Sequence, residues 1–311
     1  MASELNKPHF KDADKARQYL EAMHWPNGPV CPHCGSVSKD HYSLQGKSHR
    51  PGLWKCKDCR EQFSVTVATV FERSKIPLNI WLQAVYLLCA SKKGISSKQL
   101  ERMLGVTYKT AWFMSHRIRE AFKTTPTGPL GGAGKFVEAD ETYWGTEDGD
   151  KRGRGGAALV AANKIVSLVE REGSIRSFHV ADVGSENLKS ILVKNVDQKT
   201  HLMTDSSTRY HLVKREAPFA QHSQVNHSAN EYVRGEAYTN TVEGYFSILK
   251  RGLDGVYQHV STAHLQRYVT EFDFRYNNRI ALGVDDAQRT DEALKSIRGK
   301  RLTYRRTQAQ V

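Results

Sequence analysis

Two closely spaced cysteine pairs in the N-terminal part constrain the fold of this chain more than any other feature. They lie in CPHCG, at Cys31 and Cys34, and in CKDC, at Cys56 and Cys59. Each C-x-x-C places two thiolates on one tight turn, and two such turns supply the four sulfur ligands that a structural Zn²⁺ prefers. The intervening stretch, 35–55, is slightly longer than usual, which fits a zinc ribbon with an extended hairpin. A redox dithiol is disfavoured, because two matched pairs occur and neither lies in an α/β redox pattern.

Composition and charge restrict the partners. The chain has 311 residues, enough for one sizeable core with one or two small modules. Its 46 Lys and Arg against 33 Asp and Glu give a net charge of +13. Such a charge attracts polyanions, so nucleic acid is the leading partner. The alternative is a basic enzyme that does not bind nucleic acid. No apolar run approaches the ~18 residues of a membrane span, and the first residues lack a secretion signal. We therefore expect a cytoplasmic protein without a membrane partner.

Residues 96–122 have the spacing of a helix-turn-helix. Ser96 with Gln99 predicts the capped start of a short helix, Gly105 predicts its end, and Thr107 predicts the cap of a second helix. The second, basic helix of such a motif lies in a DNA groove with its N-terminal residues nearest the bases. A plain helical hairpin fits the same spacing.

The side chains of this second helix divide into two faces. We expect a buried stripe made of Ala111, Met114, Ile118 and Phe122. We expect the opposite face to be solvent-exposed, with Lys109, His116, Arg117, Arg119 and Lys123. Lys109 and Arg117 are the predicted DNA contacts of this face.

The remainder of the chain predicts an α/β domain with a mixed sheet. A linker rich in Gly, Pro and Thr, 124–135, precedes it. Strand-like and helical runs then alternate in the order strand, strand, strand, helix, strand, at Phe136–Asp140, Ile165–Val169, Ile175–Val180, Glu186–Val196 and His201–Met203. Two further helices are predicted at Thr241–Arg251 and His264–Arg275.

Three acids lie where these elements begin or end. Asp140 and Asp205 each end a predicted strand, and Glu243 lies in the first turn of a helix. Two-metal phosphoryl transfer needs hard oxygen ligands that converge from separate elements, and Mg²⁺ is held by only a few carboxylates. Each acid alone is more often a surface or capping residue, and spacing does not select these three over Glu138, Glu141, Asp182 and Asp254.

Two cations follow Glu243 on the same predicted helix. Lys250 and Arg251 come seven and eight residues later, two helical turns on, and so share the face of the glutamate. They could hold a DNA phosphate beside the metal ions, or they could simply complement the helix C-terminus.

The chain resembles the DDE transposases of bacterial insertion sequences, in the ISXO-like branch with an N-terminal zinc ribbon. The resemblance runs from about Pro26 to Arg279 and is carried by CPHCG, CKDC, VEADETYWG, LMTDSSTRY, NTVEGYFSILKRG and HLQRYVTEFDFRYNNR. It implies that Asp140, Asp205 and Glu243 bind the catalytic Mg²⁺ or Mn²⁺. It also implies an RNase H-like fold, cleavage and strand transfer at terminal inverted repeats and target DNA, and a homodimer on paired ends.

Within the resemblance, the basic residue expected seven positions after the glutamate is Lys250. One departure is Tyr238, which stands where a histidine is expected shortly before the glutamate. The departure argues against a proton-shuttling or phosphate-contacting role at that position and leaves the acids unaffected.

Together these features predict an RNase H-like α/β catalytic domain preceded by a zinc ribbon and a helical DNA-binding segment. The expected boundaries are 1–75 for the ribbon, 76–123 for the helical segment, 124–135 for the linker, 136–280 for the catalytic domain and 281–311 for a basic C-terminal tail. Two alternatives remain: a zinc-ribbon DNA-binding regulator with an inert C-terminal half, and a metal-dependent nuclease that hydrolyses without joining strands.

Overall fold

The computed structural model describes residues 3–145, 162–216, 219–225 and 233–303. The chain divides into two compact units. Unit 1 comprises Met1–Thr124 and Val284–Val311, and unit 2 comprises Thr125–Gly283. Within the described ranges, every helix is too short or too polar to cross a lipid bilayer.

Unit 1 begins with two helices and a small antiparallel sheet. Its first elements are α1 (Pro8–Lys11), α2 (Ala13–His24), β1 (Tyr42–Leu44), β2 (Leu53–Lys55) and β3 (Gln62–Phe63). The sheet order is β1-β2-β3, with Tyr42 opposite Lys55 and Trp54 opposite Phe63. The Trp25 and Phe63 rings meet edge to face at 5.8 Å and give the sheet a small apolar core.

Three helices follow the sheet: α3 (Leu78–Ala90), α4 (Ser97–Leu104) and α5 (Tyr108–Ala121). The predicted helix ends are confirmed. Ser96 accepts from the Gln99 N–H, Thr107 accepts from the Thr110 N–H, and Gly105 ends α4 with a φ of 64°, a conformation that glycine adopts without strain.

The predicted exposed face of α5 is wrong at Arg117, His116 and Arg119. Arg117 is only 6% exposed, donates to the Glu72 carbonyl at 2.7 Å, and stacks over Trp81 at 5.2 Å. The predicted apolar stripe is buried as expected. A pattern with one apolar face assumes that only one side of the helix is packed. In the structure α5 is packed on several sides, and His116, Arg117 and Arg119 are buried together with their charged or polar ends.

Unit 2 is built on a five-stranded mixed sheet: β4 (Phe136–Trp144), β5 (Asn163–Glu170), β6 (Ile175–Val180), β7 (His201–Asp205) and β8 (Gln221–Val225). The order is β6-β5-β4-β7-β8, with β4, β5 and β6 antiparallel and β7 and β8 parallel to β4. Sequence analysis predicted the first four strands and missed the polar β8. The predicted fold class, an RNase H-like mixed sheet behind a zinc ribbon, is confirmed.

Helices cover both faces of this sheet. They are α6 (Ser185–Asn195), α7 (His211–Glu216), α8 (Asn240–Gly252) and α9 (Thr262–Asn277), and a two-stranded hairpin, β9 (Val233–Arg234) with β10 (Ala237–Tyr238), precedes α8. On β4, Val137 and Ala139 belong to the core with α6 and α7. Side chains alternate along a strand, so Glu138 and Asp140 point to the face that packs against α8 and α9.

The segment predicted as a basic tail from residue 281 contains a helix of unit 1, α10 (Asp286–Lys295). Asp285 and Gln288 form a capping box at its start, and Ala293 and Leu294 are buried. Only two of its ten residues are apolar and fully buried, so its periodicity is too weak to predict the helix. Residues 304–311 of the predicted tail lie outside the described ranges.

Candidate functional site

The four paired cysteines come together in unit 1. The Sγ atoms of Cys31 and Cys59 are 3.6 Å apart, those of Cys34 and Cys56 are 3.7 Å apart, and all four lie within 4.8 Å of one another. A zinc ion with Zn–S bonds of about 2.3 Å in tetrahedral geometry places its sulfurs about 3.8 Å apart. The cluster therefore fits Zn²⁺ without rearrangement.

The four thiols influence one another's ionisation. Burial disfavours the Cys56 thiolate, but N–H donors from Cys59 and Asp58 outweigh it and lower the pKa of Cys56 to about 6. The pKa values of Cys31 and Cys59 are raised, in part through burial. His41 is not a ligand, because its ring nitrogens are hydrogen-bonded to the Lys57 N–H and to the Ser36 carbonyl.

In unit 2, Asp140 and Asp205 occupy equivalent positions on neighbouring parallel strands. The last register pair between β4 and β7 is Glu138 with Met203, and each aspartate lies two residues further along its strand. Adjacent strands lie about 4.8 Å apart, so the two aspartates are neighbours. Asp205 ends β7 as predicted, whereas β4 continues past Asp140 to Trp144, because its other edge stays paired with β5.

Glu243 comes to the same sheet face from α8. It lies in the first turn of that helix, as predicted, and accepts from the Thr239 hydroxyl at 3.2 Å. It is solvent-exposed, which leaves the mouth of the site open to a ligand.

The three acids act on one another electrostatically. Burial and the neighbouring Glu141 carboxylate raise the pKa of Asp140 to about 8, although the Glu141 N–H donates to it at 2.8 Å. Asp205 and Glu243 add to the repulsion. A cation bound among these carboxylates would relieve it, so the donor set fits a hard divalent ion.

The three acids are more widely spaced than the cysteines. Among the described residues, only the four cysteines bring three or more ligand atoms within 4.8 Å of one another. The carboxylates of Asp140, Asp205 and Glu243 do not meet that distance.

The competing acids are engaged elsewhere. Asp254 accepts from the Trp144 indole at 2.6 Å, and Asp182 accepts from the Gly184 N–H at 2.8 Å. Glu138 is fully buried among four donors. Glu141 is held by Arg209 at 2.6 Å and by a buried tyrosine hydroxyl at 2.8 Å.

Arg209 is a site residue that sequence analysis missed. It follows Asp205 by four residues, and its side chain is 43% exposed although it pairs with Glu141. Arg209 lies in LMTDSSTRY, one of the stretches that carry the family resemblance, so the sequence contained the information needed to single it out. Of the predicted DNA contacts, Lys250 and Arg251 lie in the last turn of α8, with Arg251 exposed, and Lys109 is exposed in the first turn of α5.

We predict that the stability of the metal-free protein depends on pH through Asp140. Its folded-state pKa of about 8 lies above the unfolded value of about 3.9, so the folded state holds the proton longer and stability falls as pH rises between these values. Asp140→Asn should therefore stabilise unit 2 by an amount that grows to a few kcal/mol at pH 8. The test is thermal unfolding of both proteins at pH 5 and pH 8 without divalent ions. An equal gain at both pH values would contradict the prediction.

Comparison with known proteins finds one family domain in each unit. Residues 129–277 match the ISXO2-like transposase domain, and residues 11–62 match the transposase zinc-ribbon domain. An uncharacterized protein in transposable element ISH50 of Halobacterium salinarum is 29% identical over 279 residues, which cover 86% of this chain and 91% of the relative.

Among solved structures, the mariner Mos1 paired end complex with Mg is 13% identical, and the alignment covers 94% of this chain and 95% of that one with a TM-score of 0.26. A score this low does not establish a shared fold. The two domain matches follow the predicted order along the chain, ribbon first. The chain thus carries a transposase zinc-ribbon domain followed by an ISXO2-like transposase domain.

Proposed function

We propose that this transposase cleaves the ends of its element and joins the freed 3′-hydroxyl to target DNA, with Asp140, Asp205 and Glu243 holding the divalent ions. The observation that carries the proposal is the placement of the three acids on one sheet face, from β4, β7 and the first turn of α8, where burial and the neighbouring carboxylates raise the pKa of Asp140. Carboxylates that the fold holds close together although they repel one another are typical of a cation site.

The chemistry follows from the positions of the residues. Divalent ions held by these acids would supply the charge neutralisation and oxygen activation that in-line displacement at phosphorus requires. The sheet and α8 fix the carboxylates on separate rigid elements, so the scissile phosphate would meet a preorganised site.

Cations around the acids would position the DNA backbone. Arg209 lies beside the site, and its pairing with Glu141 and the Tyr143 hydroxyl limits its mobility. Lys250 and Arg251 precede a π-helical turn, Leu253–Tyr257, that prolongs α8. Because the helix backbone continues beyond them, neutralising a helix C-terminus is a weaker account of these two cations than phosphate binding.

The deciding experiment uses the full-length protein with a labelled duplex that carries the element end, a supercoiled target plasmid and Mg²⁺. Inverted repeats that flank the gene would supply the end sequence. We expect cleavage that leaves a 3′-hydroxyl, followed by a product in which the labelled strand is joined to the plasmid. Cleavage without joining would identify a nuclease, and binding without cleavage would identify a regulator.

We also propose that α4 and α5 contact the element end, with Lys109 at the start of α5 near the DNA. Lys109→Glu should weaken binding and reduce the slope of log affinity against log salt by about 1, because one phosphate contact is lost. Fluorescence anisotropy across a salt series measures both quantities. Lys15→Glu makes the same charge change at an exposed position on α2 and serves as the control. Unchanged affinity and slope for Lys109→Glu would mean that this segment does not bind DNA.

A further inference from the structure

Glu138 is a fully buried carboxylate whose partners lie mainly on α8. Its Oε2 accepts from the backbone N–H groups of Thr241 at 2.8 Å and Val242 at 3.0 Å. Its Oε1 accepts from the Thr241 hydroxyl at 2.8 Å and from Arg171 Nε at 2.7 Å. Both oxygens are thus occupied by donors, as a carboxyl group buried away from solvent requires. Glu138 is therefore an acceptor within the fold and not a metal ligand.

The contacts of Glu138 replace an ordinary helix cap. The first N–H groups of a helix have no partner within the helix, and a side chain at the N-cap usually accepts from them. At α8 the N-cap residue is Thr239, whose hydroxyl donates to Glu243 and, among the described residues, caps no N–H of the first turn. Glu138 reaches across from β4 and takes that role.

Arg171 fixes the segment that leads into α8. Besides Glu138, its guanidinium donates to the carbonyls of Glu236 and Tyr238, each at 2.9 Å. It also lies over the Tyr238 ring, 3.4 Å from the centroid, and its side chain is only 12% exposed. One largely buried cation thereby joins the hairpin that precedes α8 to Glu138 on β4.

We propose that Glu138 and Arg171 are positioning residues that hold Glu243 in register with Asp140. Glu138 lies two residues before Asp140 on the same face of β4, and the backbone groups that it binds immediately precede Glu243. The inference rests on the proposed function in one respect, namely that these acids bind divalent ions.

The three acids depend on this pair to different degrees. Asp140 and Asp205 are held relative to each other by the pairing of β4 with β7, which does not involve the Glu138 side chain. Glu243 lies on a separate helix whose first turn is tied to β4 through Glu138. Loss of the pair therefore displaces one ligand and leaves the other two in place, which weakens ion binding without unfolding the sheet.

The test is a titration of the zinc-loaded full-length protein with Mn²⁺, followed by electron paramagnetic resonance. Glu138→Gln keeps the size of the side chain but has one acceptor oxygen, and its NH₂ group opposes the N–H donors of α8. We expect its Mn²⁺ dissociation constant to rise by about tenfold or more. Tyr245→Phe is the matched control, because it removes a buried hydrogen bond from the same helix, to Asp273 at 2.6 Å, away from the first turn. The control should destabilise the fold and keep the wild-type dissociation constant.

The outcomes separate positioning from stability. A weaker Mn²⁺ site in folded Glu138→Gln, with an unchanged site in Tyr245→Phe, supports the proposal. A wild-type constant in folded Glu138→Gln overturns it, as does an equal loss in both variants. If Glu138→Gln does not fold, Arg171→Lys is titrated by the same criteria, since lysine keeps the charge and loses the forked contacts to Glu236 and Tyr238.

The same titration separates this inference from the proposed function. The wild-type protein could bind no Mn²⁺ in addition to its zinc ion. In that case the assignment of the acids to metal binding is wrong, and so is the positioning role. If the variants follow the expected pattern while element ends are neither cut nor joined, the positioning role stands and the transposition chemistry is wrong.

Discussion

Asp140→Asn is expected to reduce Mg²⁺-dependent cleavage of element ends by on the order of 10³-fold or more, and Asp205→Asn and Glu243→Gln should do the same. Each substitution keeps the size of the side chain and removes the charge on which hard-cation binding depends. Because Asp140 is destabilised as an anion in the metal-free protein, its replacement should leave unit 2 folded. DNA binding should also persist, since the expected contacts of α4 and α5 lie in unit 1.

The control for these variants is Asp182→Asn. Asp182 is an exposed acid of unit 2 that accepts from a nearby backbone N–H, and its loss should leave cleavage at the wild-type rate. The cleavage rate of Glu138→Gln should lie between those of the wild type and the acid variants, and it should recover at high Mg²⁺ concentration. If Asp140→Asn cleaves at the wild-type rate and Glu138→Gln does not cleave, the metal ligand on β4 is Glu138 and its assignment to Asp140 is wrong. Full activity in all three acid variants would overturn the metal mechanism.

Removal of zinc is expected to unfold the N-terminal ribbon. Strands of two or three residues bury too little apolar surface to be stable alone, and binding to a four-cysteine site contributes about 10 kcal/mol or more. Purified protein should contain about one zinc ion per chain. Cys56→Ser should lose it and become sensitive to proteolysis between residues 26 and 63. Elemental analysis and limited proteolysis measure the two effects.

Cys89→Ala is the matched control for zinc loss. Cys89 is a buried thiol of α3 outside the cluster, so its replacement should keep the zinc content. A ribbon that stays resistant to protease after the zinc is removed would contradict the structural role of the ion.

Local signals in the sequence accounted for much of the site. The cysteine pairs determine their own cluster because both turns are short, and Asp205 and Glu243 lie next to strong strand and helix patterns. The choice of Asp140 over Glu138 needed the family resemblance, since both point to the same face of β4. The structure gives a physical reason for that choice, because Glu138 is saturated by donors.

Other features depend on contacts that are distant in sequence. Arg171 lies 33 residues from Glu138, and no periodic pattern links them. Arg117 was misplaced because the packing around α5 comes partly from Glu72, 45 residues earlier. The strand β8 was missed because QHSQV is polar, as befits a strand at the edge of a sheet, where apolar residues would invite pairing with other chains.

The discontinuity of unit 1 has a consequence for synthesis of the protein. A ribosome releases the ribbon and α3 long before α10, yet α10 belongs to the same unit, and Arg289 donates to the Cys89 carbonyl at 2.9 Å. Unit 2 is continuous in sequence and can fold as soon as it emerges, whereas unit 1 is complete only once α10 has been synthesised. A chain that terminates near residue 283 would therefore keep all three acids of the candidate site and lack part of its N-terminal unit.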